Sequence, residues 1–133
     1  MRLLLALATL ALSPIQAASD KVATSKGDLE IVAIEHATFV MKWDKAVIFV
    51  DPVGGADRFK DCGKPDLILV TDIHGDHLSA DTLAAQLPDD RNVDVYFIGP
   101  KPFMQAVYSM GRTLGVLPER LRCEFFGPLE AIA

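Results

Sequence analysis

Hydrophobic and polar positions alternate twice in the first half of the chain. Leu29, Ile31 and Ala33 interleave with Glu30 and Val32, and Phe39, Met41 and Trp43 interleave with Val40 and Lys42. This period of two predicts a pair of strands. Asp44-Lys45 predicts a tight turn into Ala46-Val47-Ile48-Phe49-Val50, an apolar run read as a buried third strand, so the chain opens as a β-meander. The polar stretch 19–28 ahead of it reads as a mobile lead-in.

Asp51-Pro52-Val53-Gly54-Gly55 ends the third strand, because proline removes a ladder donor and paired glycines permit positive φ. Asp57 to Lys64 is polar and irregular. Leu67-Ile68-Leu69-Val70 is a short continuous apolar run and predicts a strand buried on both faces. Ser79 is placed to cap a helix over 80–87, with Asp81 near its positive end and Leu78 spaced against Leu83 as a hydrophobic staple. Pro88-Asp89-Asp90-Arg91-Asn92 breaks that helix, and Val93 to Ile98 predicts a further strand ending at Gly99-Pro100. Pro102 suits a first helical position, Phe103, Val107, Met110 and Leu114 then fall on one helical face, and Gly115 ends the helix. Arg122 to Phe126 is the last strand expected.

Half of the 133 residues are apolar, which suits one small domain with a core. The first 18 residues alter that picture. Arg2 precedes the apolar run Leu3 to Leu12, and Ser13-Pro14-Ile15-Gln16-Ala17-Ala18 supplies small residues for cleavage, the layout of a secretory signal peptide. The run is about half of the roughly 20 residues needed to span a bilayer, so no stable membrane span is expected once the leader is cut. Export, to a periplasm or to the outside, is the resulting expectation. The net charge of −5, one more negative without Arg2, excludes a nucleic-acid partner from the reading. Cys62 and Cys123 could pair in an oxidising compartment or remain free thiols, and spacing alone does not decide between them.

The chemistry concentrates in Asp72-Ile73-His74-Gly75-Asp76-His77. Two carboxylates and two imidazoles within six residues follow the carboxyl end of a buried strand, where open α/β sheets present their binding loops. Several N and O donors converging on one point are what a Zn²⁺ or Mn²⁺ site requires, and Gly75 is read as letting the loop turn sharply. The competing reading is a solvated loop in which Asp76 caps a turn and both histidines face water. His36 reads as a strand residue rather than a ligand.

Thr71-Asp72-Ile73-His74-Gly75-Asp76-His77-Leu78 resembles the His-x-His-x-Asp-His signature of the metallo-β-lactamase superfamily, with Asp72 where the first histidine belongs. Glu35-His36-Ala37-Thr38-Phe39 and Val50-Asp51-Pro52 are also similar to segments of its metal-dependent hydrolases, so the resemblance covers about residues 27 to 85. It implies that Asp72 and His74 serve one metal site and Asp76 and His77 the other. It further implies that Asp76 orients the water that attacks an ester, amide or phosphoester of a small-molecule substrate. An added oxygen donor tilts the choice of ion from Zn²⁺ toward Mn²⁺. The family's downstream histidines have no counterpart, since His36, His74 and His77 are the only histidines in the chain.

The last third resembles a different family. Val95-Tyr96-Phe97-Ile98-Gly99-Pro100-Lys101-Pro102-Phe103-Met104, Leu114-Gly115-Val116 and Glu124-Phe125-Phe126-Gly127-Pro128 are similar to the C-terminus of ferredoxin-reductase-like modules, above all that of flavohemoproteins. That resemblance implies NAD(P)H and FAD as alternative cofactors, with Gly99 and Pro100 near a nicotinamide and Phe126 near a flavin. Ile98 replaces the cysteine common in those modules.

The expected fold is α/β: a partial metallo-β-lactamase-like αββα sandwich over 29–88, then a β-α-β tail over 93–133, joined between Thr82 and Asn92. The expected function is an exported, incomplete metal-dependent hydrolase. The alternatives are a fragment of an NAD(P)H/flavin oxidoreductase and a non-catalytic remnant. Oligomeric state is left open.

Overall fold

A computed structural model of the protein describes residues 19–124. Residues 1–18, where a signal peptide is expected, and residues 125–133, with Phe125 and Phe126 of the last expected strand, lie outside the described residues. Seven strands form one sheet: β1 Ser19–Thr24, β2 Gly27–Glu35, β3 Thr38–Trp43, β4 Ala46–Val50, β5 Leu67–Val70, β6 Asp94–Ile98 and β7 Leu121–Glu124. They stand side by side in chain order, β1 to β4 antiparallel and β4 to β7 parallel.

The meander forms where alternation predicts it. Asp44 and Lys45 take φ of 46° and 72°, the positive pair that a two-residue hairpin turn demands, and Trp43 pairs with Ala46 across it. The expected mobile lead-in is instead β1, paired with β2 from Ser19↔Val32 to Thr24↔Gly27. All six of its residues are exposed, so no hydrophobic period marks it. Its turn is closed by Thr24, whose Oγ1 donates to the Gly27 carbonyl, with Gly27 at φ 101°.

Parallel neighbours need crossovers, and the segments 51–66, 71–93 and 99–120 supply them. Helix α1, Ala80–Gln86, bridges β5 to β6, and α2, Lys101–Thr113, bridges β6 to β7. Ser79 caps α1 by accepting from the Thr82 amide at 3.2 Å, and Gly115 follows α2 at φ 87°. Successive right-handed crossovers advancing in one direction put both helices on the same face of the sheet. There Leu83, Phe103, Met104 and Val107 pack with Val40, Phe49, Ile68, Val95 and Phe97 in a single core. Phe59, on a 3-10 turn over Ala56–Phe59 within the polar 57–64 stretch, joins that core and stacks on Phe49 with ring centroids 4.9 Å apart.

One expectation changes. β5 is buried on one face only: Ile68 and Val70 are buried, whereas Leu67 and Leu69 are half-exposed, because the helices cover a single side of the sheet. The β-α-β expected of the last third forms, as β6, α2 and β7, and it joins the same sheet. β6 pairs with β5 from Leu67↔Asp94 to Val70↔Phe97, so the mixed α/β sheet runs unbroken through the expected junction. Cys62 is buried and Cys123 half-buried, and both are free thiols. Burial pushes both thiol pKa values up, keeping them in the unreactive protonated form.

Candidate metal centre

Because β4, β5 and β6 are parallel, their carboxyl ends share one rim of the sheet. Asp51 follows β4 there, the loop 71–78 follows β5, and Gly99-Pro100 follows β6. His36, in the turn after β2, is also at this rim; it is exposed, at φ 46°, and is a turn residue rather than the strand residue expected.

Asp51 is the pivot of the loop. The residue is almost fully enclosed, at 1% exposure, and it sits at φ 44°, a left-handed conformation that aspartate tolerates better than most residues. Its backbone is clamped by the Leu69 carbonyl, which accepts from the Asp51 amide at 2.9 Å, and by Thr38, whose Oγ1 donates to the Asp51 carbonyl at 2.5 Å. Its carboxylate accepts from the Thr71 amide at 2.8 Å, from Thr71 Oγ1 at 2.5 Å and from His77 Nδ1 at 2.9 Å. An ionised carboxylate only accepts, so Nδ1 carries the proton and the Nε2 lone pair is left available. Nε2 faces Asp76 Oδ2 at 3.9 Å.

The electrostatics follow from this contact. The hydrogen bond to Asp51 raises the His77 pKa above 6.5, desolvation opposes it, and the charges of Asp51, Asp76 and Asp72 add to the rise. Sequence reasoning missed Asp51 as a functional residue, taking Asp51-Pro52 as the end of a strand. The available signal was an aspartate beside proline at the end of a buried strand, together with the similarity of Val50-Asp51-Pro52 to hydrolase segments.

The other two donors form a separate pair. Asp72 Oδ1 accepts from its neighbours' amides, Ile73 at 2.5 Å and His74 at 3.2 Å, and lies 2.8 Å from His74 Nδ1. Chiefly the His74 amide bond, helped by that of Ile73, holds the Asp72 pKa below the usual carboxylate range. His74 is largely in solvent, with 76% of its side chain exposed. The turn itself is made by the His77 and Leu78 amides, both donating to the His74 carbonyl at 2.9 Å. Gly75 is therefore not the hinge expected of it: its φ is not positive and a Cβ there would meet open space.

Asp72, His74, Asp76 and His77 are thus brought to one loop as two pairs. Among the described residues, no group of three or more His, Cys, Asp or Glu side chains could together hold a metal ion. The donor types are those a divalent cation takes, and the Asp51 contact at Nδ1 leaves His77 Nε2 unengaged by it. The arrangement nevertheless does not fit a complete catalytic centre, where three protein ligands are usual.

Gly99 and Pro100 have a local structural explanation. A Cβ on Gly99 would fall 2.6 Å from Phe103 Cδ1, so this position is kept bare for the Phe103 ring, and Pro100 is the N-cap of α2, its carbonyl accepting from the Met104 amide at 3.1 Å.

Against known proteins, residues 30–113 match the family model described as the beta-lactamase superfamily domain. The match runs past the expected 27–85 and through α2. A solved structure described as a metal-dependent hydrolase from Parabacteroides distasonis superposes on 76% of this chain with a TM-score of 0.54 and 26% identity, and this chain covers 43% of it. The flavohemoprotein of Pseudomonas putida is 53% identical over 55 residues, which is 41% of this chain and 14% of that protein. That of Burkholderia sp. strain TH2 is 56% identical over 46 residues, 35% of this chain and 12% of its own. The chain therefore spans about one seventh of these flavohemoproteins and less than half of the hydrolase. A 55-residue match is longer than segment 93–133, so it is not confined to the tail where the resemblance was expected.

Proposed function

This chain belongs to the beta-lactamase superfamily, and we propose that its loop 72–77 is the divalent-cation half-site of an exported, metal-dependent hydrolase-like protein acting on a small molecule. The observation that carries this reading is the Asp51–His77 contact at 2.9 Å. Histidines that ligate metals characteristically donate their second ring N–H to a carboxylate or carbonyl, which fixes the tautomer and aims the free nitrogen. A histidine that merely faced water would have no need of a buried carboxylate behind it. Asp76 lies beside that free nitrogen, while Asp72 and His74 form a second N/O pair in the same loop. Zn²⁺ and Mn²⁺ are the ions this donor set favours.

The half-site would have to be completed from outside the described residues before hydrolysis, so on this reading the chain holds metal more readily than it turns over substrate. Elemental analysis of the purified chain tests it. Stoichiometric zinc or manganese, reduced in His74→Ala, is expected; wild-type protein that retains no divalent ion after exposure to both metals contradicts it.

The flavohemoprotein likeness favours a second reading, binding of NAD(P)H or a flavin at Gly99-Pro100. The crossover β6–α2 can present backbone N–H groups to a phosphate or ribose. Quenching of flavin or NADPH fluorescence on titration with the chain would promote this reading over the first.

A further inference from the structure

The second face of the sheet is apolar, and among the described residues nothing covers it. Register places Asp20, Ile31, Met41, Ile48, Leu67 and Asp94 in one row straight across it. A second row runs Ala33, Phe39, Val50, Leu69, Tyr96 and Arg122. Val50 is buried; the other apolar members are half-exposed or exposed, and Trp43 and Val22 on the same face are 36% and 50% exposed. The first row is apolar in the middle with Asp20 and Asp94 at its ends, and the second is apolar up to Tyr96 and Arg122, the anatomy of an interface with a dry centre and a partly polar rim. At one rim Arg122 Nε donates to Asp94 Oδ1 at 3.1 Å and Arg120 lies 3.6 Å away, so those charges are organised rather than scattered.

Parallel strands are found with both faces covered, and a sheet of β4 to β7 covered on one face only is half of a layered fold. We propose that a second copy of this chain covers the open face, sheet against sheet across a two-fold axis. This inference rests on the sheet and not on the metal loop.

Size selects the occupant. Seven strands at about 4.8 Å spacing make a face roughly 29 Å wide, and a single extended or helical segment covers a stripe only about 5 to 10 Å across. One such segment would leave most of it bare, whereas a second sheet matches it in width and length. With strands of five residues near the centre, two such faces bury on the order of 1,000 Å² before side-chain relief is added, the area at which specific interfaces begin.

Sedimentation equilibrium of the purified chain, with circular dichroism as the folding control, tests this. A dimer mass is expected, and Ile48→Lys or Leu69→Lys, each setting a charge in the dry centre, weakens the dimer at least about tenfold while the spectrum is unchanged. Protection of the Ile31, Met41, Ile48 and Leu67 methyls from a soluble paramagnetic agent, rising with protein concentration, gives the same answer in wild type without substitution. A monomer at every concentration, its face bare or covered by its own termini, overturns the proposal. So does a dimer whose methyls on this face stay accessible.

Discussion

Asp51 reaches across from the end of one strand to fix a histidine that follows the next: its Oδ2 lies 2.9 Å from His77 Nδ1, with the carboxylate only 2% exposed. The same group also takes both donors of Thr71, so one buried charge ties the rim of β4 to the loop after β5. Asp51→Ala strands a backbone N–H and an imidazole. It is expected to cost about 2–3 kcal/mol in denaturant unfolding. A loss below about 0.5 kcal/mol, the range of ordinary surface changes, would mean the contact does not hold the loop.

The pH dependence has a definite sign. His77 has a folded pKa above its ordinary 6.5, so protonation is coupled to folding. The stability it contributes is complete below about 6.5 and is lost as pH rises through the elevated folded value. Asp72 works in the opposite direction: its lowered pKa contributes stability above the usual carboxylate range that is lost as pH falls through the folded value. An NMR titration of the His77 ring should give a midpoint above 6.5 that falls back in Asp51→Asn. A wild-type midpoint at or below 6.5 contradicts the assignment.

Ser79 is the only side-chain cap that α1 receives at its start, and the helix has just seven residues. Ser79→Ala should destabilise the protein by about 1 kcal/mol, and Ser79→Gly by a few tenths. Equal effects of the two substitutions would show that the hydroxyl is not acting as a cap.

Two glycines near the rim should respond differently. Gly99→Ala drives a methyl into the Phe103 ring, which is itself buried, and should cost about 1–3 kcal/mol. Gly75→Ala meets open space and should change stability by less than about 0.5 kcal/mol. Thermal unfolding of both distinguishes a packing glycine from a permissive one; the reverse order would overturn the local geometry at each site.

Much of this was readable from residues because local physics and the global fold agree. Strict alternation in 29–33 and 39–43, the Asp44-Lys45 turn and the Ser79 cap each name an element without help from tertiary structure. β1 was not readable, since all its side chains are exposed and its reason for existing is the backbone edge of β2. The run Leu67 to Val70 says that a strand can be buried on both faces, not whether a second layer is there to bury it. Four candidate ligands were visible as a cluster in sequence, but their division into two pairs depends on Asp51, twenty residues upstream of Thr71. No spacing rule connects a residue after one strand to a loop after its parallel neighbour.

The most direct test follows the two ring nitrogens of His77 by ¹⁵N NMR while zinc is titrated into the protein. The predicted result is a metal-bound shift at Nε2 with Nδ1 still protonated and hydrogen-bonded to Asp51. Saturating zinc that leaves Nε2 unshifted, or that displaces the proton from Nδ1 instead, would contradict a cation site aimed by Asp51.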